Sequence, residues 1–112
     1  MLVAFAVAAA LSATSGPCQT VHGRIALWNG APSVRIAVAR THRVLGVVQP
    51  NGSFDDLPPA VRAIWTGKEP DTDWAIEIEG DFKVCALTPD RPGHMQMVHL
   101  VKAAHLAPRP RR

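Results

Sequence analysis

The stretch WAIEIEGDFKVCA, residues 74–86, alternates apolar and polar side chains more strictly than any other part of the chain. Trp74, Ile76, Ile78, Phe82 and Val84 fall on one face, and Glu77, Glu79, Asp81 and Lys83 on the other. A period of two is that of a half-buried β-strand. Gly80 sits in the middle of it, where a long strand bends around a barrel corner. Working towards the N-terminus, VHGRIALW (residues 21–28) repeats the period with Val21, Ile25 and Leu27 inward and His22, Arg24 and Trp28 outward. The cluster Asn29-Gly30-Ala31-Pro32 follows, and SVRIAVA (33–39) then alternates with Val34, Ile36 and Val38 inward and Arg35 outward. Asn-Gly between two such runs is a hairpin signal, and Pro32 lengthens the loop beyond two residues. A third β-branched run, RVLGVVQ (43–49), carries Gly46, a natural place for a bulge or bend.

Between the third and fourth runs the signals change. Asp55 and Asp56 precede Leu57-Pro58-Pro59, Gly67 follows, and Leu57, Val61, Ile64 and Trp65 are spaced i, i+4, i+7 and i+8. Acid first, proline early and glycine after predict a short helix with one apolar face. Lys68–Asp73 reads as a polar link, 88–93 as a loop, and MQMVHLVKAA (95–104) as the last strand. The tail Pro108-Arg109-Pro110-Arg111-Arg112 has no apolar side chain and is expected to be disordered. Three strands, a helix and two strands give β-β-β-α-β-β, the order of a small five-stranded OB-like Greek-key barrel in a mainly β domain. An open sheet with a helix across it would show the same pattern. Closure has a physical motive, because a domain of this size otherwise exposes much of its sheet edge.

The 112 residues carry 12 Lys plus Arg against 9 Asp plus Glu, a net charge of +3, and allow one domain. Residues 1–15 are expected to be a signal peptide. Leu2–Leu11 (LVAFAVAAAL) is uncharged and apolar, too short to span a bilayer, and Ala13 with Ser15 fits the small-x-small pattern for cleavage after Ser15. No Lys or Arg precedes the apolar run, a departure from the usual leader. The folded domain would then be residues 16–107, with no membrane span, followed by the tail 108–112. Export places the chain in the periplasm or outside the cell, where Cys18 and Cys85 read first as a disulfide, with two free buried thiols as the alternative. Such a bridge closes a long loop and would stabilise a small domain by roughly 4 kcal/mol.

The segments Cys18-Gln19-Thr20-Val21-His22-Gly23-Arg24, Trp28-Asn29-Gly30-Ala31-Pro32-Ser33 and Gly80 through Gln96 (GDFKVCALTPDRPGHMQ) together resemble a group of small exported proteins of Gram-negative, mainly alphaproteobacterial, bacteria. The resemblance implies export. It carries no activity, cofactor or catalytic residue with it.

No GxSxG, P-loop, HExxH or GxGxxG motif is present, and nothing in the spacing of Ser, His and Asp favours a catalytic arrangement, so the expectation is a protein without catalysis. Two other chemistries are readable. His22, Arg24, Trp28 and Arg35 share the outward side of the first two strands as a small basic patch with one aromatic, which together with the Arg-rich tail, residues 108–112, is suited to an anionic envelope component such as lipopolysaccharide, a cell-wall polymer or an acidic protein face. Solvated strand surface is its bland counterpart, and nucleic acid is disfavoured by export and by the scarcity of stacking aromatics. The second is HMQMVH, residues 94–99. On a strand, Met95, Met97 and His99 project from one face, and two thioethers with an imidazole suit Cu(I). That set is similar to small periplasmic copper-carrying OB-fold proteins, in which His and Met ligands lie near a Trp, a part open to Trp28 or Trp74. Methionine is also an ordinary core filler.

Overall fold

In the computed structural model, which describes residues 16–111, the alternating stretch that begins the reading forms β4, Ile76–Ala86. It is the central staple of the sheet. β4 pairs antiparallel with β1 (Cys18–Leu27) on one side, from Cys18↔Cys85 through Ile25↔Ile78, and with β5 (Gln96–Pro110) on the other. β1 pairs in turn with β2 (Val34–Val38), and β2 with β3 (Val44–Val47), giving the expected meander. β3 then meets the start of β5 in parallel, Leu45↔Gln96 to Val47↔Val98, and the sheet closes as a barrel in the order β1-β2-β3-β5-β4. This is the closed, mainly β, OB-like strand order, with a Greek-key return; the open sheet is excluded. The expected leader, residues 1–15, and Arg112 lie outside the described residues.

Each strand turns alternate residues into the barrel, as the period requires. Val21, Ile25 and Leu27 from β1, Val34 and Ile36 from β2, Leu45 and Val47 from β3, Ile78, Phe82 and Val84 from β4, and Val98 and Leu100 from β5 are all buried in one cluster. Leu57, Val61 and Trp65 from the connection between β3 and β4 join it. Trp65 is fully buried, and its indole N–H donates to the Ile76 carbonyl at 3.0 Å, so the polar end of the ring is satisfied where β4 begins. Phe54 stacks on it at 6.2 Å between centroids.

The connection is less helical than its periodicity suggests. A 3-10 turn, Phe54–Asp56, starts from Ser53, whose side chain and that of Asp56 cap each other's backbone. Leu57 and Pro58 are then extended, and α1 covers only Pro59–Arg62. The apolar face survives because Leu57, Val61 and Trp65 all reach the core, although only Val61 is in the helix. The expected polar link, Lys68–Asp73, is partly helical. Pro70–Ala75 forms α2, with Pro70 in its first turn and Asp71 and Asp73 as its acidic start, and the strand begins at Ile76 rather than Trp74. Asp73 is buried, and its carboxylate accepts the Gly67 N–H at 3.0 Å, which ties α2 to the end of the preceding segment. Trp74, expected to face the core, is instead 38% exposed on α2.

Gly46 and the tail also differ from expectation. Gly46 makes no bulge, since Arg35↔Gly46, Ile36↔Leu45 and Ala37↔Val44 run in unbroken register. Its missing side chain makes room on the outer surface: a Cβ there would stand 2.6 Å from Pro32 Cγ, 2.7 Å from Met97 Sδ and 3.0 Å from Met95 Sδ. At Gly80 the ladder does slip. Glu79 faces Ala107 but Asp81 faces Ala104, so β5 carries an extra residue, and His105 takes a left-handed φ of 56° in that bulge. The expected disordered tail is not found at Pro108-Arg109-Pro110, which continue β5 and pair with Ile78, Glu77 and Ile76. Proline is tolerated there because β5 beyond Val98 has a strand on one side only. The Arg109 Nε–Glu79 Oε1 ion pair and the Arg111 N–H, donating to the Ala75 carbonyl at 2.8 Å, fasten this end.

Cys18 and Cys85, directly opposite on β1 and β4, form a disulfide across 67 residues of chain.

Candidate binding face

The closure of the barrel decides what happens to His22, Arg24, Trp28 and Arg35. β1 lies between β2 and β4, and the register that puts His22 opposite Asp81 and Arg24 opposite Glu79 places the outward acids of β4 beside the outward bases of β1. His22 Nδ1 lies 2.8 Å from Asp81 Oδ1 and its Nε2 3.2 Å from Glu79 Oε2. With a carboxylate at each ring nitrogen, the imidazolium is the form that satisfies both. The Asp81 and Glu79 contacts raise the His22 pKa above its ordinary value. In return, His22 first and His105 second hold Asp81 below the usual carboxylate range, and Arg109 first and His22 second do so for Glu79. His105 Nδ1 reaches the other Asp81 oxygen at 2.8 Å, and Arg24 Nη1 pairs with Glu77 Oε1 at 2.7 Å. So His22 and Arg24 are internally neutralised in an ionic seam over β1, β4 and β5.

Trp28 and Arg35 part company with them. Trp28, just past the end of β1, is 45% exposed. The Arg35 guanidinium sits 5.4 Å from its ring centroid, and the Arg35 Nε–H donates to the Pro32 carbonyl at 2.9 Å. Arg111, from the Arg-rich tail, and Trp74, which the sequence places in the core, complete the group. Arg111 lies 5.0 Å from the Trp28 centroid and 5.2 Å from that of Trp74, so one guanidinium serves both indoles. All three contacts are within cation–π range. Among the described residues, Arg24, Arg43, Arg62 and Arg109 have carboxylate partners in Glu77, Asp90, Asp55 and Glu79, whereas Arg35 and Arg111, like Arg40 and Arg91, have none; Arg35 and Arg111 are the two of these that lie against indoles. The cluster is therefore a local excess of positive charge held by aromatics.

Met95, Met97 and His99 lie on the outside of the barrel. Val98 and Leu100 are the inward residues of β5, Met97 is half-buried, and His99 is exposed. Met95, just before the strand, and Met97 both bring their sulfurs over Gly46, and Pro32 Cγ approaches the same point. Among the described residues, no group of three or more His, Cys, Asp and Glu side chains has metal-holding geometry, and no helix is long and apolar enough to cross a membrane.

The signal for Trp74 lies in Pro70 and the acids after it, which start α2, and that for Arg111 in the tail. Had the Pro70 helix start been read, Trp74 would have been freed from the core. The pairing of 108–110 with β4 would then have brought Arg111 to it.

Comparison with family models, with curated proteins and with solved structures finds no match. What the chain does must therefore be argued from these side chains.

Proposed function

We propose that the protein is an exported, non-catalytic binding module of the bacterial cell envelope, and that it holds an anionic envelope component through the exposed Trp28–Arg35 face. The observation that carries this reading is the pairing of an exposed indole with a guanidinium that has no carboxylate partner among the described residues. The disulfide is compatible with an oxidising compartment and supports export without locating it. The direct experiment is to titrate purified, oxidised protein with lipopolysaccharide and follow tryptophan emission at several salt concentrations. Saturable binding that weakens with salt and falls in Arg35→Gln supports the proposal; no binding at low salt refutes it.

A second reading, a copper(I)-binding protein, keeps one specific observation in its favour: the Met95 and Met97 sulfurs converge on a single point above Gly46. His99, two residues on, would be the third ligand. Cu(I) titration of the reduced-metal form against wild type and the Met95→Leu/Met97→Leu variant tests it, and an identical response from both removes it.

A further inference from the structure

The binding face proposed above is larger than Trp28 and Arg35, and its extension says what chemistry it takes. We propose that Arg35 and Arg111, each laid against an indole, form a two-guanidinium site for a phosphate group. The inference rests on the reading of Trp28 and Arg35 as a binding face and names the group that binds there.

The geometry supports this in three ways. First, both guanidiniums lie against the same ring, 5.4 and 5.0 Å from the Trp28 centroid, so their charges are at most about 10 Å apart, the Debye length at about 0.1 M salt. Two like charges at that range, without a carboxylate among the described residues to offset them, attract an anion strongly. Second, the heads are held in place. Arg35 donates its Nε–H to the Pro32 carbonyl at 2.9 Å, and Arg111 is fixed by its backbone N–H on the Ala75 carbonyl at 2.8 Å and by the second indole, Trp74, at 5.2 Å. Ordering these two long side chains in advance lowers the entropy lost on binding. Third, stacking on an aromatic face leaves the in-plane N–H groups of a guanidinium available. Arg35 keeps both Nη groups, and Arg111 has only a 3.5 Å contact from Nη1 to the Trp74 carbonyl. Two planar forks match the several oxygens of one phosphate, whereas a single carboxylate satisfies one fork.

Phosphate of this kind has two sources, a phosphomonoester on an envelope lipid headgroup and free inorganic phosphate, and the experiment separates them. Tryptophan emission of the oxidised protein is followed during titration with inorganic phosphate, with acetate at matched ionic strength, and with phosphatidylcholine vesicles with and without phosphatidic acid. The expected result is saturable binding of phosphate but not acetate, competed by the phosphatidic acid vesicles if the headgroup is the natural form and left unaffected by them if free phosphate is. Arg35→Gln and Arg111→Gln should each weaken phosphate binding by about tenfold or more. Arg35→Lys and Arg111→Lys, which keep the charge but lose the fork, should fall in between, and Lys102→Gln, on an exposed part of β5, should bind as wild type. Should a glutamine variant fail to fold by circular dichroism, the lysine variants decide. Equal responses to phosphate and acetate, or unchanged affinity in the Arg111 variants, would overturn the inference. If lipopolysaccharide still binds through Arg35 while phosphate does not, the phosphate site falls and the binding module stands. Loss of both ends both.

Discussion

Removing the Cys18–Cys85 bridge should cost this domain more than any single side-chain change on its surface. The two residues are neighbours across the β1–β4 ladder, and the bond spans 67 residues of sequence, most of the described chain. By loop-closure entropy, opening a ring of that size favours the unfolded chain by about 4 kcal/mol. The folded state loses little. Cys18 is exposed, Cys85 is 6% exposed, and the strand ends stay joined by Gly16 N–H to the Ala86 carbonyl at 2.6 Å and Ala86 N–H to the Pro17 carbonyl at 3.0 Å. The effect therefore lies mainly in the denatured ensemble, and a Cys18→Ala/Cys85→Ala protein should keep its native circular dichroism. Against a typical total of about 5–15 kcal/mol, such a loss is a large share, and the melting temperature should drop by on the order of 20 °C. Urea unfolding of both proteins gives the measurement, with a larger m-value expected for the variant because its unfolded chain is less restricted. A loss below about 1 kcal/mol with an unchanged m-value would refute the loop-entropy account.

Three further outcomes follow from the same structure. Gly46→Val places carbon against the Pro32 ring and the two methionine sulfurs, and should destabilise by about 1–3 kcal/mol in urea melts, since the sulfurs can yield and the ring cannot. Asp73→Ala removes a buried carboxylate together with the hydrogen bond it accepts from the Gly67 N–H and should cost roughly 1–3 kcal/mol, with Asp73→Asn recovering part of it. The ionic seam predicts a pH profile. His22, raised above 6.5, contributes fully below that value and loses its contribution as pH rises through its folded pKa; Glu79 and Asp81, lowered from 4.5 and 3.8, contribute above those values and lose it as pH falls through theirs. Urea midpoints of wild type and His22→Gln should therefore differ most between those limits and converge above the His22 titration; a constant difference across the range would contradict it.

How much of this was open to reading depends on which interactions set each element. β1, β2 and β4 were legible because one face of each is buried, and burial imposes a period of two on local sequence. α2 was missed because its periodicity is absent over six residues and only its start carries signals, in Pro70 and the following acids. The end of β5 was missed for a different reason. Pro108-Arg109-Pro110 has nothing apolar to bury, and it is ordered by partners far away in the chain, Glu79 and Ala75. The same non-local pairing divided the basic patch. Which of His22, Arg24 and Arg35 would meet an acid followed from barrel closure and register, neither of which alternation in one strand can specify.

The barrel closes through seams of very different strength. β1 and β4 share a covalent bond, ion pairs and a register running from Cys18 to Ile25, while β3 and β5 meet in parallel over Leu45–Val47 alone. Parallel pairing is slightly weaker per residue, and the residues it joins here lie far apart in sequence. When the molecule breathes, it should open at that seam first, so amide hydrogens of Leu45–Val47 exchange with solvent long before those of Val21–Ile25. An opened β3 is a bare strand edge. At high concentration it offers a second copy a place to add its own β5, which makes the parallel seam the point from which strand exchange between molecules would begin.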